Sequence, residues 1–349
     1  MKAFAYLGSG RAGWIEKERP RATGFDAVVR PLMVAPCTSD VHNVAIDCLN
    51  PNRVLGHEGL GEIVEVGELV RDFQVGEIVA IPPVTPDWRT VPSQLGAHQH
   101  CSGLITGQKL SNSEDGLMAE YALIRDIDAN AARIPENVSW EAAVLAADML
   151  NTGLYGAELA DVQPGDTVVV LGIGPVGLMA VAGARLRGAG RIIAIGSRPH
   201  CVELAKFYGA TDIVNYKEGD VQRKVHLLTD KQGADCCICA GGSDDALGQA
   251  VAMVRWGGTV GNVNYFTTYG DLPINNVRYG FGMGNKTIRG GECPGGRARM
   301  ERLLKLIQYG RVDPTPLITH RFTGLNQVEA AFRLMERKPP EMVKTIVTL

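Results

Sequence analysis

The feature that most constrains the fold is a glycine-rich turn between two apolar segments. The segment from Gly172 to Gly177, GIGPVG, follows a strand predicted over Thr167–Leu171 and opens a helix predicted over Val176–Leu186. In such a turn the first glycine permits a tight bend and the second lets the backbone approach a pyrophosphate. The third permits close packing of the helix on the strand. We expect the diphosphate of a dinucleotide to lie at the positive end of this helix.

Strands and helices alternate through this half of the chain. The pattern predicts parallel βαβ units and a doubly wound sheet, an α/β fold. The predicted strands are Thr167–Leu171, Arg191–Ile195, Asp212–Asn215, Ala234–Ala240, Thr259–Val263 and Thr287–Arg289. The predicted helices between them are Val176–Leu186, His200–Tyr208, Val221–Leu228 and Ala246–Val254.

The rest of the chain has a different pattern. Shorter candidate strands at Ala27–Pro31, Gly61–Val66 and Ile78–Ile81 alternate with Gly, Pro and Asp turns. After about residue 295 we predict one strong helix, Arg299–Tyr309, and an apolar last strand, Val343–Leu349, that rejoins the first domain. The predicted domains are therefore 152–294 for dinucleotide binding, and 1–151 with 295–349 for catalysis.

Composition excludes several classes of protein. The 349 residues are 45% hydrophobic and 21% charged with a net charge of −3, and like charges form no block. We therefore expect neither a nucleic-acid partner nor a membrane partner. The N-terminal residues lack a signal-peptide core, and the eight cysteines show no disulfide spacing, so we expect reduced thiols and a cytoplasmic location. Cys236, Cys237 and Cys239 lie in an apolar run that suits a buried strand better than a metal site.

The residues after the second predicted strand, Arg191–Ile195, distinguish NAD from NADP. An NAD site usually carries an acidic residue about 20 positions beyond the glycine turn. Here Gly196, Ser197 and Arg198 follow the strand, and a hydroxyl with a guanidinium suits a 2′-phosphate. The alternative for Arg198 is that it is only a solvated surface residue. Tyr216 would close the adenine end of the cofactor site. The candidate cofactor contacts are Gly172, Gly174, Pro175, Val176, Gly177, Gly196, Ser197, Arg198, Tyr216, Asn264 and Tyr265.

Four residues of metal-binding type precede the glycine turn. They are Cys37, His57, Glu58 and Asp148. A sulfur, nitrogen and oxygen ligand set upstream of a dinucleotide turn is typical of zinc-assisted hydride transfer, since catalytic zinc takes three protein ligands and keeps an open position.

Motifs around these residues resemble a known family. The pattern GHE-x2-G-x5-G-x2-V, from Gly56 to Val70, is similar to the zinc signature of the medium-chain alcohol dehydrogenases. Cys37, Ser39 and His42 match the ligand and proton-relay segment of that family. Asp148, where the family commonly has a cysteine, resembles the microbial NADP-dependent secondary-alcohol dehydrogenases, as do the runs TPDWR at 85–89 and GSRP at 196–199. The resemblance extends over essentially the whole chain.

The resemblance implies an architecture and a reaction. It implies a Rossmann cofactor domain, a strand-rich GroES-like catalytic domain, NADP and one catalytic zinc held by Cys37, His57 and Asp148. Glu58 is then either a fourth ligand or a carboxylate that orients a neighbour. The implied reaction is reversible oxidation of a secondary alcohol to a ketone, with hydride leaving a zinc-bound alkoxide. Ser39 would accept the hydroxyl proton and pass it through the nicotinamide ribose to His42. Relatives with this pattern are often homotetramers.

Two regions depart from the family. The lobe that often carries a structural zinc on four cysteines, roughly 86–112 here, has only one cysteine, Cys101. His98, Gln99, His100 and Cys101 are candidate ligands, but ligands spaced so closely predict a loop without zinc. Gln108 and Glu292 replace apolar pocket residues of the secondary-alcohol enzymes. If they line the pocket, a diol, hydroxyketone or aldehyde becomes the alternative substrate; if they face solvent, selectivity barely changes. A second alternative is a catalytically silent NADPH-binding protein.

Overall fold

A computed structural model of the chain describes residues 1–266, 270–277 and 279–349. Their contacts divide the chain into two compact units. The first comprises Met1–Asp148 and Pro294–Leu349, and the second comprises Met149–Cys293. The domain bounds predicted above stay a prediction.

The described residues form strands and helices along the whole chain. The strands are β1 Lys2–Gly8, β2 Arg11–Glu16, β3 Ala27–Val34, β4 Arg53–Val54, β5 Gly59–Val66, β6 Ile78–Ile81, β7 Ala122–Ile124, β8 Ala132–Arg133, β9 Thr167–Leu171, β10 Arg191–Ile195, β11 Asp212–Val214, β12 Ala234–Cys239, β13 Val254–Asn262, β14 Thr287–Gly290, β15 Ile318–Thr323 and β16 Lys344–Thr348. The helices are α1 Thr38–Ala45, α2 Val91–Gln94, α3 Ile127–Asn130, α4 Trp140–Leu145, α5 Asn151–Leu159, α6 Pro175–Leu186, α7 Pro199–Tyr208, α8 Val221–Leu228, α9 Ala246–Met253, α10 Arg297–Gln308 and α11 Val328–Arg337. One π-helical turn, Ala146–Leu150, joins α4 to α5.

The first unit is rich in strands. Its larger sheet has the order β15-β16-β3-β5-β6-β8, with β7 also paired to β3, and its smaller sheet has the order β2-β1-β4. The pairs are antiparallel except β15 with β16. As predicted, the last strand rejoins this unit, because β16 pairs with β3 through Val347 and Val34. Strands and helix α11 together bury an apolar core whose largest members include Phe4, Tyr6 and Phe332.

The second unit contains one parallel sheet of six strands in the order β11-β10-β9-β12-β13-β14. The chain winds outward from β9 to β11, then returns to the other side of β9 with β12. This is the doubly wound order, whose reversal point lies beside the carboxyl end of β9. The predicted α/β class with a strand-rich companion domain is confirmed. The three β12 cysteines are buried, as predicted, and all eight cysteines carry free thiols.

Several predicted elements need correction. Only one helix was predicted after residue 295, which is wrong, because α11 is a second one. Its buried residues Val328, Ala331, Phe332 and Met335 follow helical spacing, so the signal was present among charged neighbours. The strand predicted at Thr259–Val263 begins earlier, at Val254, because Val254 already pairs with Ala234 of β12. Strands β1 and β2 were not predicted.

Residues 167–184 carry no charge and are about as many as a membrane-spanning helix needs, but they do not form a single helix. They are divided between β9 and α6, as the glycines predicted. Within the described ranges, the helices are too short or too polar to cross a membrane.

Candidate active site

Four side chains from three separate segments meet in the first unit. Cys37 precedes α1, His57 and Glu58 precede β5, and Asp148 lies in the π-helical turn. One ligand atom from each of the four lies within 4.8 Å of the others, and three of the residues are buried. Cys37 Sγ lies 3.7 Å from Asp148 Oδ2, and His57 Nε2 lies 3.8 Å from the same oxygen. Such spacings suit atoms about 2.0–2.3 Å from one tetrahedral zinc.

A buried carboxylate fixes the orientation of His57. Asp40, in the first turn of α1, places Oδ1 3.2 Å from His57 Nδ1. The same oxygen accepts hydrogen bonds from the Ser111 hydroxyl at 2.7 Å and the Gly56 amide at 3.2 Å, while Oδ2 accepts one from the Cys37 amide at 3.3 Å. With Nδ1 bound to Asp40, His57 presents Nε2 to the ligand cluster. This arrangement is typical of metal-ligating histidines.

Only one of the two carboxylate oxygens of Glu58 has a hydrogen-bond partner in the described part of the chain. Its Oε1 lies 2.7 Å from Lys344 Nζ, and both side chains are inaccessible to solvent. Its Oε2 is buried and has no hydrogen-bond partner in the described part of the chain. A buried carboxylate oxygen without a donor is costly unless a cation occupies the site. The donor set and this orphaned oxygen therefore fit a divalent metal ion.

The charges of the cluster favour metal ligation. Burial disfavours the Cys37 thiolate, but the Lys344 ammonium and a hydrogen bond with His57 outweigh it and lower the pKa of Cys37. Burial likewise opposes ionisation of Asp40, yet the charge and hydrogen bond of His57 lower its pKa below the usual value. The Lys344 pKa is raised, because the Glu58 carboxylate outweighs the burial of the ammonium. These shifts favour the anionic forms of Cys37 and Asp40.

The two residues predicted to move a proton lie on α1. Ser39 Oγ is 3.2 Å from His57 Nε2, so the structure brings Ser39 to the cluster. His42 is half-buried one turn later on the same helix, on the face that Ser39 shares. Burial, with a smaller contribution from the Lys338 charge, lowers the pKa of His42, which keeps its imidazole neutral near pH 7. The relay through both residues stays a prediction.

The glycine turn lies at the carboxyl end of β9. Gly172 has φ +89°, and a Cβ there would lie 2.8 Å from Gly241 Cα. A Cβ on Gly177 would lie 1.7 Å from the Gly172 carbonyl oxygen, whereas one on Gly174 would meet no described protein atom within 4 Å. The three glycines thus provide a bend, open space and close packing. Pro175 and Val176 begin α6 directly behind that space.

The other candidate cofactor contacts lie at the same edge of the sheet. Gly196 and Ser197 follow β10, and Arg198 is the residue before α7. Tyr216 follows β11 in a short 3₁₀ segment and is 54% exposed. Asn264 and Tyr265 follow β13; Asn264 Nδ2 is buried without a partner in the described part of the chain. Neighbouring parallel strands end at one edge, so these residues lie at the same edge of the sheet as Gly174. Their contacts with a cofactor stay predictions.

The loop at residues 98–101 makes contacts of its own. The His98 ring stacks on Trp88 at 4.7 Å, and its Nε2 accepts a hydrogen bond from the Gly295 amide at 3.1 Å. His100 Nδ1 lies 3.3 Å from the Ile105 amide that donates to it. These hydrogen bonds engage one nitrogen of each ring within the protein.

Gln108 and Glu292 belong to different units. Gln108 is half-buried in a bridge with Val84, and Glu292 is half-buried just after β14. Their presence in a substrate pocket stays a prediction.

Sequence reasoning missed three residues that support the cluster by hydrogen bonds. Asp40 lies inside the segment that carries Cys37 and His42, so its position on α1 was a usable signal. Ser111 lies in an irregular loop, and Lys344 is 286 positions from its partner Glu58. No local pattern marks either of them, because only the folded chain brings them to the cluster.

Comparison with known proteins agrees with this geometry. Residues 175–309 match the family described as zinc-binding dehydrogenase, and residues 23–136 match the alcohol dehydrogenase GroES-like domain. The chain is 54% identical to the NADP-dependent isopropanol dehydrogenase of Thermoanaerobacter brockii and 52% identical to that of Clostridium beijerinckii, over the full length of all three chains. Among solved structures, alcohol dehydrogenase TADH from Thermus sp. ATN1 matches with a TM-score of 0.86 at 29% identity. That match covers 100% of this chain and 99% of the other.

Proposed function

The chain belongs to the family of zinc-binding alcohol dehydrogenases, and on that premise we propose that it interconverts small secondary alcohols and ketones with NADP(H). The observation that carries the proposal is the buried cluster of Cys37, His57, Glu58 and Asp148, with its orphaned carboxylate oxygen. A silent NADPH-binding protein would have no use for a buried group of metal ligands, so we set that alternative aside.

The metal would be zinc, held by Cys37, His57 and Asp148. Bound zinc supplies a Lewis acid that lowers the pKa of an alcohol hydroxyl and leaves room for substrate. Asp40 orients His57 for this role through the 3.2 Å contact at Nδ1. Cys37 and Asp148, when ionised, add two negative charges, which would compensate the two positive charges of the zinc ion.

The proton leaves by way of α1. Oxidation of an alcohol releases one proton from the hydroxyl when the carbinol carbon gives its hydride to NADP⁺. Ser39, 3.2 Å from His57 Nε2, lies close enough to the ligand cluster to accept that proton. His42, kept neutral by burial and the Lys338 charge, is the base that takes it up next. In ketone reduction the same groups return the proton.

Preference for NADP(H) is supported by the residues after β10. Ser197 and Arg198 are both half-buried there, and no carboxylate stands among the residues between β10 and α7. An acidic side chain would repel a 2′-phosphate, whereas a guanidinium and a hydroxyl bind it. The two bacterial relatives are named as NADP-dependent enzymes. A homotetrameric assembly and a cytoplasmic location remain predictions from the resemblance.

A substrate more polar than a simple alkanol is the second candidate, and Gln108 and Glu292 favour it. Both side chains are half-buried polar groups at positions where the resemblance implies apolar ones. A pocket lined by these polar groups would favour a diol or hydroxyketone over a simple alkanol.

One experiment tests the proposed reaction. Initial rates of cofactor oxidation are measured with a small methyl ketone, using NADPH and NADH, on enzyme stripped of metal and then reloaded with zinc. We expect zinc-dependent turnover that favours NADPH by about tenfold or more in kcat/KM, which is about 1.4 kcal/mol. Equal rates with and without zinc would contradict the proposal. Turnover only with hydroxyketones would select the second candidate.

A further inference from the structure

A buried lysine lies directly behind the metal ligands. Lys344 begins β16, and its ammonium lies 2.7 Å from Glu58 Oε1 with only 1% of its side chain exposed. In the described part of the chain, Glu58 is the hydrogen-bond partner of this ammonium. A buried charge with one hydrogen-bond partner depends strongly on it, since removal of either group leaves the other desolvated and without that partner.

Lys344 compensates the formal charge of Glu58, one of the anionic groups of the site. The ligand atoms of Cys37, Glu58 and Asp148 lie within 4.8 Å of one another, and the three groups bring three negative charges when ionised. A divalent cation supplies two positive charges, and Lys344 supplies the third. The lysine is thus part of the electrostatics of the metal site, although it donates no ligand.

Lys344 also decides which oxygen of Glu58 is available. Oε1 accepts from the ammonium, while Oε2 is buried without a partner. While Oε1 is held, Glu58 can offer a metal one oxygen only. Without Lys344, both oxygens and the full carboxylate charge would be free for the metal.

We propose that Lys344 is a positioning residue that restrains Glu58 and so keeps its coordination to the metal weak and reversible. The inference rests on the proposed zinc-dependent function and adds a residue to it. When an incoming oxygen ligand displaces Glu58 from the metal, the carboxylate of Glu58 stays paired with the ammonium of Lys344. The displaced carboxylate is therefore not left without a partner. The competing interpretation is a purely structural ion pair that ties β16 to the start of β5.

Cobalt substitution separates the two interpretations. The protein is loaded with Co²⁺, and its visible d–d spectrum is followed during titration with imidazole, a neutral metal ligand that competes with Glu58. We expect Lys344→Met to bind imidazole about tenfold more weakly than wild type and to lose about 10–100-fold in kcat. Lys344→Arg, which keeps the charge, should stay within about threefold of wild type.

Two controls make the result specific. In the Glu58→Gln background, Lys344→Met should not weaken imidazole binding, because the restrained carboxylate is absent. Lys286→Met, which removes another buried lysine from the second unit, should leave imidazole binding unchanged. If Lys344→Met does not fold, Lys344→Ala replaces it; this variant also removes the ammonium that holds Oε1 and should weaken imidazole binding in the same way.

The outcomes are distinct. Unchanged imidazole affinity in Lys344→Met with a normal cobalt spectrum would overturn the inference and leave the proposed function intact. Weaker binding that persists in the Glu58→Gln background would also overturn it, because the effect would not pass through Glu58. Failure of the wild type to bind Co²⁺ or Zn²⁺ would instead overturn the proposed function.

Discussion

His57 and Asp40 form a buried histidine–carboxylate pair, with Nδ1 3.2 Å from Oδ1. The Ser111 hydroxyl donates to the same oxygen at 2.7 Å, so Asp40 cannot turn away from the histidine without breaking a second hydrogen bond. The pair therefore fixes both the tautomer and the direction of the ligating nitrogen.

Asp40→Asn should weaken zinc binding. The amide cannot stabilise His57 as a carboxylate does, and we expect about a 10–100-fold loss of zinc affinity. Competition with a chromophoric chelator measures this directly. Asp244→Asn, at an exposed position in the second unit, is the matched control and should bind zinc as wild type does. Equal affinities in the two variants would show that Asp40 does not support the metal site.

Two glycine substitutions should affect different properties, one the stability of the fold and the other the binding of NADPH. Gly177→Ala forces a Cβ to 1.7 Å from the Gly172 carbonyl oxygen, and we expect a loss of about 3 kcal/mol or more in unfolding free energy. Gly174→Ala meets no described protein atom within 4 Å, so stability should hold while the KM for NADPH rises about tenfold, or about 1.4 kcal/mol. Denaturant titration and steady-state kinetics measure the two effects. Normal NADPH kinetics in Gly174→Ala would place the pyrophosphate elsewhere.

Arg198→Ala should reduce the preference for NADPH. A charge-assisted hydrogen bond to a 2′-phosphate is worth about 1.5–3 kcal/mol, so the KM for NADPH should rise at least about tenfold. The KM for NADH should stay the same, because NADH lacks that phosphate. Arg311→Ala removes an exposed arginine of the first unit and serves as the control. A parallel rise for both cofactors would indicate a role for Arg198 other than recognition of the 2′-phosphate.

Lys286 should make stability depend on pH in the alkaline range. Its ammonium donates to the carbonyls of Val251 and Tyr279, and burial lowers its pKa from 10.5 to about 8. Between pH 8 and 10.5 the unfolded chain therefore binds more protons at this site, and stability rises with pH, by up to about 3 kcal/mol. The difference in unfolding free energy between wild type and Lys286→Met isolates this contribution. A difference that stays constant over that pH range would refute it.

Local patterns determined much of this protein. The glycine turn, the alternation of strand and helix and the run from Gly56 to Val70 were sufficient for the α/β class and the family. They succeed because a turn, a strand period and a helix cap depend on residues close together in the chain. Strand β10 begins and ends where the sequence predicted, since its apolar run has a charged residue at one end and a glycine after it.

Only the tertiary structure decided how the ligands are supported. Asp40 holds His57 because the first turn of α1 lies against Gly56 and His57, which precede β5. Ser111 reaches Asp40 from a loop with no regular pattern. Lys344 meets Glu58 across 286 positions, because β16 and β5 flank β3 in one sheet. A sequence records which groups can ionise or donate. Burial and distance decide which of them must be paired, and both exist only after distant segments have packed together.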